Sequence, residues 1–436
     1  MEPITIGLIG AGVLLVLLVL GMHIAFAGAL VGFLGIWALK GWNVGAGVIG
    51  FLPHPLSTSY GLSVIPLFIL MGYFAYHAGL TRDIYATART WVGHLPGGLA
   101  IATVFGCAGF AAASGASTAA AAVFGRVAIP EMRRYGYDRR LAAGVVAASG
   151  TLAALIPPSA LIVVYAILVE ESVGKLLIAG ILPGIVSAII YALMLYIRVR
   201  LNPSLGRPEP PTSFKEKLVS LRGVVFIPII FIVVIGGLYL GIFTPTEAGA
   251  AGAFSVLVFA LVMRRLTTWS SLKESLLDTG QTTVMIFLII VGILIFMRLL
   301  ALSGASMAFI DFVTGLPVPR LVILIGFLSI YVVLGMFLTA TSMLILTCPL
   351  IVPVVVALGY DPIWFGIIAI KMCEICLITP PVGLNVYVVR SVAPDIPIED
   401  IFRGALPFFF MDVLTVAILI AFPQIILLLP TYMLGG

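Results

Sequence analysis

Charged residues are scarce in this chain: they make up 9% of its 436 residues, whereas 62% of the residues are hydrophobic. A soluble domain carries roughly 25% charged residues, so the composition excludes an ordinary soluble protein and indicates a polytopic membrane protein in contact with lipid. The net charge of +5 is small, and the basic residues cluster in a few loops. Such clusters are typical of topology signals, and we expect no nucleic-acid partner.

Histidine and cysteine are also scarce, with four residues of each type. Cys373 and Cys376 have Cys-x-x-Cys spacing, but no second pair or nearby histidine cluster completes a tetrahedral metal site. Packed thiols are the expected state. The apolar segments contain no constellation of His, Asp and Glu of the kind that catalysis needs. We therefore expect neither an intramembrane enzyme nor an organic cofactor.

Two Pro-Pro pairs interrupt strongly apolar stretches, at Ile156-Pro157-Pro158-Ser159 and at Thr379-Pro380-Pro381-Val382. A Pro-Pro pair removes two backbone donors and clashes with the preceding turn, so an α-helix must stop there and restart. Inside a bilayer, the freed backbone groups can be satisfied only by protein, trapped water or an ion. Two breaks in corresponding places therefore predict a binding site.

Two long apolar blocks, 96–132 and 321–356, carry small and polar residues at their centres. The interruptions are Ser114–Thr118 in the first block and Gly335–Ser342 in the second. Each half is too short for a full crossing and return, which predicts a re-entrant helical hairpin. For the first block considered alone, a single long helix with a small-residue packing face is the alternative.

The hairpins and broken helices recur in the same order in both halves of the chain. A Gly-x-x-Pro run follows each Pro-Pro pair, with Gly180 at 180 − 157 = 23 positions and Gly404 at 404 − 380 = 24 positions. The basic loops at 133–140, 198–222 and 264–265 are expected to be cytoplasmic, which gives the repeats opposite orientations. Inverted repeats with broken helices are typical of secondary transporters.

These features predict an all-α polytopic membrane protein with two inverted-topology repeats. The predicted first half has N-terminal scaffold helices at 1–95 and first-repeat transport elements at 96–198, which include the hairpin 96–132 and the broken helix 141–170. A cytoplasmic linker is predicted at 199–222. The predicted second half has second scaffold helices at 223–320 and second-repeat transport elements with the last helix at 321–436, which include the hairpin 321–356 and the broken helix 362–393. The C-terminus is expected to be periplasmic. Residues 4–39 are long enough for either one tilted helix or two segments.

Several motifs resemble those of a known family. They are GASTAA at 115–120, IPPSALIVVYA at 156–166, GKLLIAGILPG at 174–184, FTPTEAGA at 243–250 and ITPPVGLNVYV at 378–388. On these motifs the whole chain resembles the large membrane subunit of tripartite ATP-independent periplasmic (TRAP) transporters, of the ion-transporter superfamily. The resemblance implies a sodium-driven symporter in the bacterial inner membrane that works by an elevator mechanism. It implies organic-acid substrates such as C4-dicarboxylates, sialic acid or other sugar acids.

The resemblance also implies two partners, a small four-helix membrane subunit and a periplasmic substrate-binding protein. No small-subunit domain precedes the large-subunit motifs, so we expect that subunit to be a separate chain. One departure concerns the second hairpin tip, where this family often has Asp and this chain has Thr339. The alternative function is a stand-alone dicarboxylate or citrate carrier that needs no binding protein.

Sodium prefers oxygen ligands, which broken helices supply as exposed carbonyls. We predict sodium site one from Ser114, Ser117, Thr151 and Pro157, and sodium site two from Gly335, Thr339, Thr341, Thr379 and Gly383. The substrate carboxylate is expected between the hairpin tips, at Ser114, Gly115, Ser117, Thr118, Ser159, Thr341 and Asn385. No metal other than the co-transported sodium is expected.

Few ionisable residues lie in the apolar segments. Lys371 and Glu374 are three residues apart on a predicted helix and can pair with each other or serve in function. Glu247 follows Thr244 by three residues, the spacing of a helix-capping pair. Arg298 and Asp412 are expected near membrane edges or subunit contacts.

Overall fold

A computed structural model describes residues 2–115, 117–266 and 268–433, without the side chains of Ser57 and residues 112–114. The described chain is helical. The N-terminal scaffold contains α1 (Pro3–Val19), α2 (Ile24–Lys40), α3 (Trp42–Phe51), α4 (Pro53–Ser57), α5 (Val64–His77) and α6 (Thr81–Val92). The apolar block at 4–39 is therefore two helices. The chain turns at Gly21, which has φ +85°, and the His23 side chain caps α2 by accepting the Ala25 N–H.

The first predicted hairpin and broken helix follow. This part contains α7 (Gly98–Ser114), α8 (Ser117–Arg134), α9 (Arg139–Gly150), α10 (Ala160–Leu168), α11 (Val173–Ala179) and α12 (Ile181–Leu201), with a 3₁₀ turn at Thr151–Ala154. The helix breaks fall at the Ser/Gly-rich tip and at Pro157-Pro158, which confirms the predicted interruptions. The residues at each break determine its position, because proline cannot continue a helix and glycine adopts the left-handed conformation of a turn.

The central part contains α13 (Phe214–Ser220), α14 (Phe226–Phe231), α15 (Gly237–Tyr239), α16 (Pro245–Val262), α17 (Trp269–Ser303) and α18 (Ala305–Thr314), with a π-helical turn at Ile232–Gly236. The predicted cap of α16 is confirmed. The Glu247 carboxylate accepts the Thr244 N–H at 2.8 Å, and the Thr244 hydroxyl accepts the Glu247 N–H at 3.3 Å. This reciprocal pair satisfies two amides that a helix start leaves unpaired.

The last part repeats the order of the first hairpin and broken helix. It contains α19 (Arg320–Leu334), α20 (Ala340–Ala357), α21 (Pro362–Ile375), α22 (Leu384–Val392), α23 (Ile398–Ala421) and α24 (Gln424–Thr431), with a 3₁₀ turn at Cys376–Ile378. In both halves a long helix ends in a 3₁₀ turn, the chain passes through Pro-Pro, and a nine-residue helix follows.

Six helical segments of the described chain are long and apolar enough to cross a membrane: Tyr60–His77, Val173–Leu201, Pro245–Val262, Trp269–Ser303, Ala340–Ala357 and Ile398–Ala421. A seventh results if Phe214–Gly223 and Phe226–Tyr239, which meet at a 52° bend, form one span. Ala340–Ala357 is α20, the second arm of a predicted hairpin. The re-entrant course of both hairpins stays a prediction.

Helices of the two halves interlock. α9 packs along α23, and α22 packs against both α8 and α9. Gly144 and Gly404 face each other where α9 crosses α23, and a Cβ at Gly144 would overlap the Gly404 backbone. The close approach therefore requires glycine, and it joins the first broken helix to the last long helix.

Contacts at their ends show that the two broken segments run in opposite directions. Arg140, at the start of α9, contacts Asp400, which follows α22, with Nε and Oδ1 2.7 Å apart. At the other end, the Tyr165 hydroxyl of α10 donates to the carbonyl of Pro362, the first residue of α21, at 2.7 Å. The end of the first segment thus lies beside the start of the second, and the start of the first lies beside the end of the second.

Candidate functional site

The first hairpin tip packs directly on the first Pro-Pro break. Gly115 has φ +59°, a left-handed conformation that glycine adopts without steric cost. A Cβ at this position would lie 2.6 Å from the Pro158 carbonyl oxygen and 3.2 Å from the Ser159 Cα. The absence of a side chain therefore allows the tip and the break to touch. The backbone of Ser114 ends α7, and its side chain lies outside the described residues.

Side chains at the first break have local hydrogen-bond partners. The Ser159 hydroxyl caps α10 by accepting the Ile162 N–H at 3.4 Å. The Thr151 hydroxyl donates to the Ala148 carbonyl at 2.7 Å, and both side chains are fully buried. A hydroxyl that donates one hydrogen keeps its oxygen lone pairs as acceptors, so Thr151 remains able to contact a cation.

The second tip packs on the 3₁₀ turn of the second break. A Cβ at Gly335 would overlap the Cys376 side chain, and the Cys376 thiol donates to the Tyr331 carbonyl at 3.1 Å. Thr339 caps α20, because its hydroxyl oxygen accepts the Ser342 N–H at 3.3 Å. Thr339, the residue where the related family often has Asp, therefore has a structural role at the start of this helix.

The second break places its polar residues apart from one another. The Thr379 hydroxyl donates to the Ile375 carbonyl at 2.7 Å, and Gly383, with φ +53°, precedes α22. The Asn385 side chain instead reaches the first half, where its Nδ2 donates to the Ala147 carbonyl at 3.1 Å. Asn385, which was expected to bind substrate between the tips, thus contacts α9 of the first half.

A cavity of about 310 Å³ lies where the two hairpin tips meet. Its lining includes Gly115, Ser117 and Thr118 from the first tip and Thr339, Ala340 and Thr341 from the second. The structure therefore brings together the hydroxyl-bearing residues predicted at both tips. Among the described lining residues, Ser159 and Asn385 do not occur, nor do the predicted sodium ligands Thr151, Pro157, Gly335, Thr379 and Gly383, which lie in the breaks and turns behind the cavity.

Four helices begin at this cavity. The lining contains the first residues of α8, α10, α20 and α22, which are Ser117, Ala160, Ala340 and Leu384. Each helix N-terminus carries unpaired backbone amides and roughly half a positive charge. Four such ends around one cavity create a positive potential without any Lys or Arg in the described lining.

The scaffold supplies the facing wall, which the sequence analysis missed. Tyr73 and Tyr76 from α5 and Thr282 from α17 line the cavity, and the hydroxyl oxygens of Tyr73 and Thr282 lie 2.8 Å apart. These residues are far apart along the chain and occupy ordinary amphipathic or apolar stretches. No local signal distinguishes them, since only the packing of α5 against α17 brings them together.

Two expectations about buried charges were wrong. Lys371 does not pair with Glu374; its Nζ lies 2.6 Å from Oδ1 of Asp412. Asp412 is not at a subunit contact, since it is fully buried and accepts the Tyr191 hydroxyl at 2.6 Å, and it lies in the middle of α23 rather than at an end. The physical reason is helix packing. The crossing of α21 and α23 brings the Asp412 carboxylate within ion-pair distance of Lys371, and the Lys371 side chain pairs with it instead of with Glu374. Glu374 lines the cavity instead.

Comparison with known proteins identifies the family of this chain. Residues 11–425 match the family described as "Tripartite ATP-independent periplasmic transporter, DctM component". The chain is 37% identical over 379 residues to the C4-dicarboxylate TRAP transporter large permease protein DctM of Pseudomonas aeruginosa, covering 86% of this chain and 88% of that protein. It is 33% identical over 382 residues to the sialic acid TRAP transporter large permease protein SiaM of Vibrio cholerae, covering 86% and 88%.

A solved structure, that of the YdaH transporter of Alcanivorax borkumensis, shares the fold. Its TM-score is 0.54 at 16% identity, and the match covers 87% of this chain and 88% of that one. The family match spans nearly the whole chain and includes both hairpins and both broken helices. The chain therefore belongs to the DctM family of TRAP transporters, as the large membrane permease.

Proposed function

We propose that this permease is a sodium-coupled symporter of a small organic acid. The observation that carries the proposal is the convergence of four helix N-termini on one cavity. Oriented backbone amides bind carboxylates at such ends, and the Ser and Thr hydroxyls of both tips add donors. The matched relatives are permeases for C4-dicarboxylates and for sialic acid, which are carboxylates, and they are transport proteins rather than enzymes.

The C-termini of the elements that precede the tips and the breaks support the two sodium sites. α7 and the turn Thr151–Ala154 end beside the first break, and α19 and the turn Cys376–Ile378 end beside the second. Helix C-termini present unpaired carbonyls with partial negative charge, which suit a cation. Sodium site one would use Ser114, Ser117, Thr151 and Pro157; site two would use Gly335, Thr339, Thr341, Thr379 and Gly383.

Coupling between sodium binding and organic-acid binding follows if sodium orders the hairpin tips that bind the organic acid. Each tip rests on its own break, so a cation between them stabilises the arrangement that presents the helix N-termini to the cavity. Each ligand then raises the affinity for the other by the same factor. The antiparallel course of the broken segments supports an inverted-repeat elevator, in which the interlocked helices α8–α10 and α20–α23 move against the scaffold.

The proposed transporter works in the bacterial inner membrane with two separate partners, a small four-helix membrane subunit and a periplasmic substrate-binding protein. The C-terminus is proposed to face the periplasm. In support, the Tyr239 hydroxyl donates to the Tyr432 carbonyl at 3.1 Å, and Tyr239 lies at the far end of the span that leaves the basic linker at 198–222.

Uptake by reconstituted vesicles tests the proposal. The chain is incorporated into liposomes with the small subunit, and uptake of radiolabelled succinate and sialic acid is measured with and without the binding protein and an inward sodium gradient. We expect uptake of one organic acid only when both are present. Uptake that persists after the gradient is collapsed would contradict sodium coupling. Uptake of free substrate without the binding protein would instead support the stand-alone carrier.

A further inference from the structure

Glu374 lines the cavity, and its carboxylate forms no ion pair within the described part of the chain. Glu374 is only 1% exposed to solvent, and it lines the cavity together with Ser117 and Leu377. Neither carboxylate oxygen has a hydrogen-bond partner among the described residues. The Ser117 hydroxyl lies beside the carboxylate, and Lys371 acts on it electrostatically from one turn away. A carboxylate buried in this way is costly unless something neutralises it.

The nearest cation on the same helix is already neutralised. Lys371 lies one turn before Glu374, but its Nζ pairs with Asp412 Oδ1 at 2.6 Å, with both side chains fully buried. Asp412 also accepts the Tyr191 hydroxyl. This cluster contains one positive and one negative charge, so it is electrically complete without Glu374. The described lining offers no other Lys or Arg.

The electrostatics of the site favour a positive charge at Glu374, supplied either by a bound cation or by a proton on the carboxylate itself. An organic acid in this cavity would be repelled by an unpaired carboxylate in its lining, since charges interact strongly where water is excluded. A bound monovalent cation removes that repulsion and supplies the missing partner. Carboxylate and hydroxyl oxygens are the ligands that hard cations prefer, and both types meet at Glu374 and Ser117.

We propose that Glu374 is a sodium ligand, which contributes a formal negative charge to a cation bound between the first hairpin tip and α21. The inference rests on the proposed sodium coupling and deepens it. It adds a charged ligand from the second half of the chain to Ser117 from the first half. Filling the site therefore joins the two halves at the cavity lining, next to the bound organic acid.

Direct binding of radioactive sodium to the purified full-length chain in detergent tests this inference. Glu374→Gln removes the charge and keeps the shape of the side chain. We expect it to weaken sodium binding about ten- to a hundredfold, the loss typical of one charged contact. Glu374→Asp keeps the charge and should retain more binding than Glu374→Gln. Glu247→Gln is the matched control, because glutamine also serves in a capping box, and it should bind sodium like the unaltered protein.

A measurement on the unaltered protein covers the case in which the variants fold poorly. Dicyclohexylcarbodiimide reacts with the protonated form of buried carboxyl groups, which a bound cation suppresses, and mass spectrometry would measure the extent of modification at Glu374. Sodium chloride, compared with choline chloride, should protect this residue. Equal modification in the two salts, or sodium binding by folded Glu374→Gln equal to that of the unaltered protein, would overturn the inference.

Vesicle uptake separates this inference from the proposed function. Organic-acid uptake that needs no sodium in the unaltered transporter contradicts the proposed function itself. Sodium-dependent uptake that is retained with the same sodium requirement by Glu374→Gln contradicts only the role of Glu374. A reduced apparent sodium affinity in Glu374→Gln, with Glu247→Gln unchanged, supports both.

Discussion

The Nζ of Lys371 lies 2.6 Å from Oδ1 of Asp412, and neither side chain is exposed to solvent. The Tyr191 hydroxyl donates to the same Oδ1, and the lysine nitrogen lies 5.5 Å from the centre of the Tyr191 ring. The cluster joins α21, which leads into the second break, to α12 and α23. It fastens the broken helix to these two long helices.

Breaking this ion pair should destabilise the protein strongly. Lys371→Met or Asp412→Asn leaves one buried group without its partner, at an expected cost of about 3–5 kcal/mol. The double variant leaves no unpaired formal charge and should lose less than the sum of the single losses. Thermal unfolding in detergent measures the effect, with Lys40→Met, at the exposed end of α2, as control. Additive losses in the double variant would show that the pair is not energetically coupled.

The hydroxyls of both tips should set the sodium requirement of transport. Ser117→Ala and Thr341→Ala each remove one oxygen from the cavity lining. A neutral contact contributes about 1 kcal/mol, so we expect the sodium concentration for half-maximal uptake to rise about fivefold. Thr314→Ala on exposed α18 is the control. Unchanged sodium-dependent uptake by both tip variants would remove them from the sodium sites.

Gly115→Ala tests the contact between the first tip and the first break. The added Cβ would lie 2.6 Å from the Pro158 carbonyl oxygen and would occupy a left-handed conformation. Overpacking of this kind costs about 1–3 kcal/mol. The control is Gly21→Ala, which has a similar positive φ but nothing within 4 Å of its Cβ. Uptake should fall in Gly115→Ala and not in Gly21→Ala; equal effects would mean that backbone strain alone matters.

Acid should weaken the link between the last turn of α8 and the loop after α22. Arg133 pairs with Asp395, and its hydrogen bond holds the pKa of that carboxyl below its ordinary value of 3.8. A carboxyl with a lowered pKa in the folded state stabilises above its ordinary pKa, and the effect is lost as the pH falls through the lower value. The stability difference between the unaltered protein and Asp395→Asn should therefore persist at neutral pH, begin to fall near pH 3.8 and vanish only below the lowered pKa of the folded protein.

Salt provides the control for this exposed pair. High ionic strength should reduce the same difference at neutral pH, because exposed ion pairs are screened. Asp311→Asn, on exposed α18, should show neither the acid nor the salt dependence. A stability difference for Asp395→Asn that does not change with pH would argue that Asp395 acts through packing rather than charge.

The local features of this protein were predictable from its sequence. The Pro-Pro pairs end helices because proline lacks an amide hydrogen. The hairpin tips interrupt their helices at small polar residues, and Thr244 and Glu247 form the cap that their spacing predicts. Each of these depends on neighbours within a few residues, so the sequence alone determined these breaks, tips and caps, and the composition alone indicated the membrane setting.

Tertiary packing decided which of these features meet. It paired Lys371 with Asp412 rather than with Glu374, and it carried Asn385 to the Ala147 carbonyl of the other half. It also placed Glu374 in the lining of a cavity where four helices begin. These relationships join helices that are distant along the chain, and spacing along one helix cannot predict them because the partner depends on how the helices cross.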